Sequence, residues 1–208
     1  MIDHAWGYEP CGLAQIKAYR PSSNSICEGQ VLSCPYPFAK ARLIVQEMAE
    51  LLSFRLMEKQ LAAQSVTLEI GYDRENVDTG RYHGPTKLDP YGRTLPKPAH
   101  GTARFDAPTT LGSQIIGSCV KLFAQIADPS LTVRRVTLTA NRVETDQGIC
   151  QVDLFTDLRK QEKERKLQQT MLDIKTRFGK NAVLKASSYE EGATMRQRNG
   201  QVGGHKAE

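Results

Sequence analysis

The residues with most to offer chemically lie in Leu131-Thr-Val-Arg-Arg-Val-Thr-Leu-Thr-Ala-Asn141. At the two-residue period of a β-strand, Val136, Leu138 and Ala140 share one side, and Arg135, Thr137, Thr139 and Asn141 the other. Such a strand packs a core behind it. In front it presents guanidinium and hydroxyl donors, the groups that hold phosphate oxygens. Arg134 has core-side parity and joins the polar row only if it sits at the strand's edge. Catalytic groupings are not expected. The closest carboxylates, Asp73-Arg-Glu75, follow a strand, where aspartate normally serves turn chemistry. No glycine-rich phosphate loop opens a helix, and no serine or cysteine stands in a nucleophile motif. The four histidines are scattered, and no two of the five cysteines form a C-x-x-C pair, so free thiols and no metal site are expected. A second signal is Gln151-Val152-Asp153-Leu154-Phe155. Leu154 and Phe155 are adjacent bulky apolar residues in a stretch with no periodicity. They either fold back on the core or anchor in a partner's pocket, with Gln151 able to hydrogen-bond at its rim.

The totals set limits. A chain of 208 residues can form one or two domains with a real core. Mean hydropathy is −0.46, and no apolar run reaches the length of a membrane helix. Met1-Ile-Asp-His4 lacks the basic and apolar regions of a signal peptide, so a cytoplasmic location is expected. A net charge of +5 and a pI near 9.0 permit a polyanionic partner, and only the arrangement of charge can decide.

The elements that must position these residues follow from the pattern. Residues 1–17, with Trp6 and the Pro10-Cys-Gly12 break, read as the end of a preceding domain rather than the start of one. Ser22, Ser23 and Asn24 lead into an extended run from Ser25 to Leu32, with a bulge expected at Gly29. Pro35 and Pro37 introduce a helix from Phe38 to about Leu61 with an apolar stripe through Ile44, Met48, Leu52 and Leu56. Ser65 to Tyr72 alternates as a strand. A loop dense in Gly, Pro and Asp spans 73–98. Its Arg74, Arg81, Lys87, Arg93 and Lys97 suit either a polyanion or plain solvent. His100 to Asp106 is a strand with Thr102 and Arg104 on one side. Pro108-Thr-Thr110 caps a helix striped by Leu111, Ile115, Cys119, Leu122 and Ile126.

This order predicts an α+β fold, a ferredoxin-like βαββαβ unit: a four-stranded antiparallel sheet with two helices on one face. The layout known for that fold, 4-1-3-2, puts the last strand beside the first, the Thr102/Arg104 strand on the first strand's other side, and Glu69 at the far edge. The open face would then gather Ser22, Ser23, Asn24, Ser25, Thr102, Arg104, Arg135, Thr137 and Thr139, with Arg134 at its margin, as a sequence-tolerant surface for nucleic-acid backbone. An RNA-recognition module shares the element order but needs aromatics on its central strands, where this chain has Thr, Arg and Ser. A linker, a charged helix (residues 158–180, striped by Leu167, Met171, Ile174 and Phe178) and a flexible tail (181–208) would follow.

Taken together, these residues resemble the Y-family translesion DNA polymerases, in particular the UmuC/DNA polymerase IV-like proteins of Gram-positive bacteria. The resemblance spans essentially the whole chain. It is carried by Asp3-His-Ala-Trp-Gly7, Ile16 to Ser25, Tyr91-Gly-Arg93 with His100-Gly-Thr102, Val133-Arg-Arg-Val136 with Thr139-Ala-Asn141, Gln151 to Phe155, and Arg177-Phe-Gly-Lys-Asn181. It implies that residues 18–145 form the little finger domain, which grips template-primer duplex DNA. It also implies that Gln151 to Phe155, within a linker over 146–157, is the peptide that binds the sliding clamp (the β clamp). Residues 1–17 would be the strip leaving the thumb. The family's palm domain, with the carboxylates that bind magnesium, has no counterpart in these residues. The chain is therefore expected to be non-catalytic by itself and to need no cofactor. An alternative is a stand-alone truncated protein that binds the clamp and competes with other polymerases.

Overall fold

The computed structural model describes residues 11–19, 24–148, 157–202 and 205–206. A short helix, α1 (Leu13–Ala18), precedes the first long strand, β1 (Ser25–Tyr36). Helix α2 (Phe38–Glu58) starts at Pro37, whose extended backbone makes it the N-cap. Its Ala41, Ile44, Val45, Met48, Leu52 and Leu56 are fully buried. The helix stops before Gln60, which takes a left-handed φ of 53° and turns the chain into β2 (Leu61–Tyr72).

The long connection after β2 is not structureless. It holds one turn of helix, α3 (Glu75–Asp78), and a hairpin of β3 (Thr86–Leu88) and β4 (Thr94–Pro96). Strand β5 (Ala99–Thr109), helix α4 (Gly112–Ile126), strand β6 (Val133–Asn141) and the two-residue β7 (Glu144–Thr145) complete the unit. The four long strands pair antiparallel throughout, with β7 adding to the start of β2. Both helices lie on one face. Phe38 and Phe123 meet there with ring centroids 4.7 Å apart. Burial pushes the Cys119 thiol in α4 up to about 12.

The strand order is β1-β6-β2-β5. That corrects the 4-1-3-2 expectation: the last strand lies between the first and second, and the hairpin partner β5 folds outward to the edge. The reason is visible in the inward residues. β2 supplies Val66, Leu68 and Ile70 and β6 supplies Val136, Leu138 and Ala140, all at 0% exposure. β1 turns Glu28 and Gln30 inward beside Ile26 and Leu32, and β5 turns Gly101, Ala103 and Phe105 inward. The strands richest in large apolar groups take the centre, where burial is deepest, and those with small or polar groups take the edges. At Gly101, α4 fills the space a side chain would occupy: an added Cβ would lie 2.9 Å from both Leu122 and Ile126 methyls. The expected bulge at Gly29 is absent. The β1–β6 irregularity falls between Val31 and Tyr36.

The C-terminal region departs most from its pattern. Helix α5 (Leu158–Phe178) is capped by Asp157, whose carboxylate accepts from the Lys160 amide at 3.1 Å. Two members of its expected apolar stripe, Leu167 and Phe178, are exposed at 60% and 68%. The other two, Met171 and Ile174, are half-buried, and the helix docks through polar groups as well. Buried Gln168 accepts from the Gly112 amide at 3.0 Å and donates to the carbonyls of Thr110 and Ser53, while Glu164 accepts from the Ser113 amide at 2.8 Å. Gly112 and Ser113 open α4, so α5 satisfies amides that a helix start leaves without partners. Arg165 pairs with Asp146.

Residues 181–200, expected as part of a flexible tail, also lie against the domain. They form a 3-10 turn (Ala186–Tyr189) and a short helix, α6 (Met195–Arg198). Buried Glu47 of α2 accepts from the amides of Thr194 and Met195, Lys185 pairs with Glu50, and Arg198 donates to Gln30 of β1. Composition is silent about such contacts because they join single polar groups to backbone or to each other and follow no periodicity.

Candidate nucleic-acid interface

The helices cover one side of the sheet, and the polar row of β6 faces the other. Register fixes four cross-strand rows on that open face. Ser25, Asn141, Ser65 and Arg104 form one; Cys27, Thr139, Thr67 and Thr102 the next; Gly29, Thr137, Glu69 and His100 the third; Val31, Arg135 and Gly71 the fourth. The structure therefore brings Ser25, Thr102, Arg104, Arg135, Thr137 and Thr139 onto one surface. Thr102 and Arg104 reach it beside β2 rather than beside β1. Glu69 is corrected from the far edge to the middle, between Thr137 and His100. Asn24 is exposed just before β1, and its carbonyl accepts from the Val143 amide at 3.1 Å. Ser22, Ser23 and Gln151 to Phe155 lie outside the described residues.

Arg134 joins the face through a device the alternation does not reveal. Gly71 pairs with Arg135, but Tyr72 pairs with Val133, so Arg134 is an extra residue in β6. A bulge of this kind sets two residues against one and re-aims a side chain. Arg134 and Arg135 consequently line the same groove, and Arg134 lies 3.7 Å from Asp73. Gly71 makes room for the pair: a Cβ there would stand 3.1 Å from the Arg135 Cβ.

The hydroxyls and the cations divide the work. Thr67 and Thr102 hydroxyls are 2.8 Å apart, Asn141 donates to Thr67 at 2.9 Å, and Thr139 donates to the Cys27 sulfur at 3.4 Å. The Thr137 hydroxyl oxygen is shielded from solvent. These groups mostly brace the sheet. Arg104 and Arg135 are exposed and have no carboxylate partner among the described residues. They mark opposite ends of the face, because Arg104 is in register with Asn141 across Ser65, and the six residue steps of β6 from Arg135 to Asn141 span about 20 Å.

A groove lies at each end. Arg104, Arg142, Thr102 and Asn141 line one of about 410 Å³. Arg134 and Arg135 line the other, of about 690 Å³, whose far wall includes Arg74, Lys87 and Arg93 from the connection between β2 and β5. Arg142 escaped the sequence reading because it lies one residue past the strand, in a left-handed turn with φ 48°. Among the described residues no cluster of three or more His, Cys, Asp or Glu side chains is placed to hold a metal ion.

This architecture is an open-faced α+β sheet, helices behind and a polar surface in front, with cations at both ends. Residues 24–154 match the model of the impB/mucB/samB family C-terminal domain. The chain belongs to that family: it carries the little finger part of a Y-family translesion DNA polymerase. A relative, named as the UV-damage repair protein UvrX of Bacillus subtilis (strain 168), is 28% identical over 166 residues, 80% of this chain. The chain spans 35% of that relative's length. A solved complex of beta-clamp processivity factor and little finger domain of PolIV is similar with a TM-score of 0.39 and 12% identity, covering 64% of this chain and all of that one.

Proposed function

We propose that the open face holds the backbone of duplex template-primer DNA during translesion synthesis, and that Gln151 to Phe155 tethers the same chain to the sliding clamp. One observation carries the DNA part: two exposed arginines with no carboxylate partner among the described residues, Arg104 and Arg135, stand at opposite ends of a braced polar sheet face. Each end can take one phosphate strand while the middle of the face, with Glu69, lies over the groove between them. Glu69 also lines the Arg134/Arg135 groove, so phosphate there is held on the side of Arg135, away from that carboxylate. Binding is sequence-tolerant, because the groups involved read the backbone and not base edges. The role is one of holding, not of chemistry. Magnesium and the phosphoryl-transfer carboxylates are assigned to the family's palm domain, and no residue here is given a catalytic part. The clamp part rests on sequence: Leu154 and Phe155 would fill the partner's pocket, and Gln151 would bond at its rim.

A salt titration of duplex binding tests the first claim. Affinity should fall steeply between 50 and 200 mM salt, and the log–log slope should flatten by roughly one for each arginine removed. A double Arg104→Ala/Arg135→Ala variant with wild-type affinity and slope defeats it. Clamp capture by Leu154→Ala/Phe155→Ala at wild-type strength defeats the second claim alone.

A further inference from the structure

The connection between β2 and β5 is built more firmly than a solvent loop. Asn76 of α3, 1% exposed, donates to the Asp73 and Thr132 carbonyls and accepts from the Thr132 amide at 3.0 Å. That ties the base of the connection to the residue that leads into β6, two positions before Arg134. Farther out, the Lys97 amide donates to the Pro85 carbonyl at 2.8 Å, and so does the Tyr82 hydroxyl, also at 2.8 Å.

At the hairpin tip the Asp89 carboxylate accepts from the amides of Tyr91 and Arg93, each at 2.9 Å, and from Arg93 Nε at 2.6 Å. Gly92 supplies the left-handed residue, φ 74°, that closes the turn. This locked tip presents Tyr91, 82% exposed. The Arg93 guanidinium lies 5.0 Å from the Tyr91 ring centroid, over one face of the ring. A fixed aromatic surface in water, backed by a cation, is what a base stacks on.

We propose that the β3–β4 hairpin and the Arg134/Arg135 end of the sheet form a second subsite that takes single-stranded DNA. Phosphates lie in the groove on Lys87 and Arg135, and an unpaired base stacks on Tyr91. The exposed ring selects a single strand, because a duplex keeps its bases paired and stacked inside and has none to offer it. Lys87 has no carboxylate partner among the described residues. Arg134 has only a long contact with Asp73, 3.7 Å away, which a phosphate can share at little cost, while Arg93 stays on Asp89 and holds the tip. The subsite deepens the duplex-holding role and depends on it for the strand that continues past the paired region.

The test uses the full chain with two fluorescent probes at low salt, an oligo(dT) strand and a two-stranded blunt duplex with no unpaired bases. Tyr91→Ala should weaken oligo(dT) binding about tenfold, the loss expected for one stacked base, and leave duplex binding within twofold. Tyr91→Phe, which keeps the ring, should bind both probes as wild type does. Oligo(dT) affinity unchanged in Tyr91→Ala overturns the subsite, as does a loss in Tyr91→Phe as large as in Tyr91→Ala, or an equal loss on both probes. Arg104→Ala reports on the other role independently. It should weaken the duplex alone, and an unchanged duplex affinity there counts against the open face while leaving the Tyr91 result to stand.

Discussion

Replacing Gln168 by alanine should release helix α5 from the domain. The side chain is 6% exposed and makes three bonds: from the Gly112 amide at 3.0 Å, to the Thr110 carbonyl at 3.0 Å and to the Ser53 carbonyl at 3.3 Å. Thr110 and Ser53 are themselves buried, at 3% and 1% exposure. Each bond contributes about 1 kcal/mol net, and a buried group left without its partner costs roughly 1–3 kcal/mol. Water reaching the vacated space recovers part of that, so the loss in docking is roughly 2–4 kcal/mol. It is local, because the bonds hold α5 to the domain and not the apolar core to itself. Amide hydrogen exchange over residues 158–178, read by mass spectrometry, should speed up roughly 30- to 1,000-fold while β2 and β6 hold their protection. Leu167→Ala is the matched control: its side chain is 60% exposed and should cost less than about 0.5 kcal/mol. Exchange in α5 within twofold of wild type for Gln168→Ala, or a larger effect from Leu167→Ala, would refute polar docking.

Gly101→Val forces a branched side chain into space where even a Cβ meets Leu122 and Ile126 methyls at 2.9 Å. Overpacking of about 2–3 kcal/mol should lower Tm by roughly 4–12 °C, and an unchanged melting curve would show that α4 shifts freely. Gly71→Ala should displace Arg135, whose Cβ stands 3.1 Å from the new methyl. Duplex affinity should fall by no more than the Arg135→Ala loss, and a gain in affinity would contradict the placement. Glu50 gives a pH prediction. Burial raises its pKa first, and the charges of Lys185 and Lys175 oppose that only in part. A carboxyl raised in the folded state contributes stability that is present below its unfolded pKa and lost as pH rises through the folded value. Glu50→Gln mimics the protonated form, so in urea denaturation it should gain on wild type between pH 4 and pH 7. A variant that loses ground over that interval contradicts the sign.

Much of this was legible in the residues. The alternation in β2 and β6 and the stripes of α2 and α4 all reflect apolar periodicity, and so does the sharing of one face by Arg104 and Arg135. Strand order was not legible from alternation, which says which way a side chain points but not which strand lies beside it. A clue was present all the same: Glu28 and Gln30 in β1 and Gly101 in β5 sit at inward positions, and inward polar or missing side chains belong at edges. Arg134 was misplaced by strict parity because one inserted residue reverses the count. Docking of α5 and of residues 181–200 was invisible because it runs through single polar groups, Gln168, Glu164 and Glu47 to backbone, Lys185 to Glu50 and Arg198 to Gln30. Such contacts carry no periodicity, and a helix joined through them looks solvent-facing in sequence.

The contacts missed in sequence bear on the surface that was found. Residues 158–200 reach every element behind the sheet. Gln168 and Glu164 hold the start of α4, Glu47, Glu50 and Ser53 of α2 are engaged from the same segment, and Arg198 reaches Gln30 on β1. β1 is the edge strand that pairs only with β6, and β6 carries Arg134 and Arg135. Thr194 and Arg198 brace that edge from behind through Gln30, and the sheet carries the twist common to β-sheets. The twist sets how the Arg104 and Arg135 ends, about 20 Å apart, are turned relative to each other. The grip on two phosphate strands proposed above gains from such bracing, because each end is already placed when the other binds. The charged C-terminal region thus holds the helix layer and the β1 edge in one arrangement.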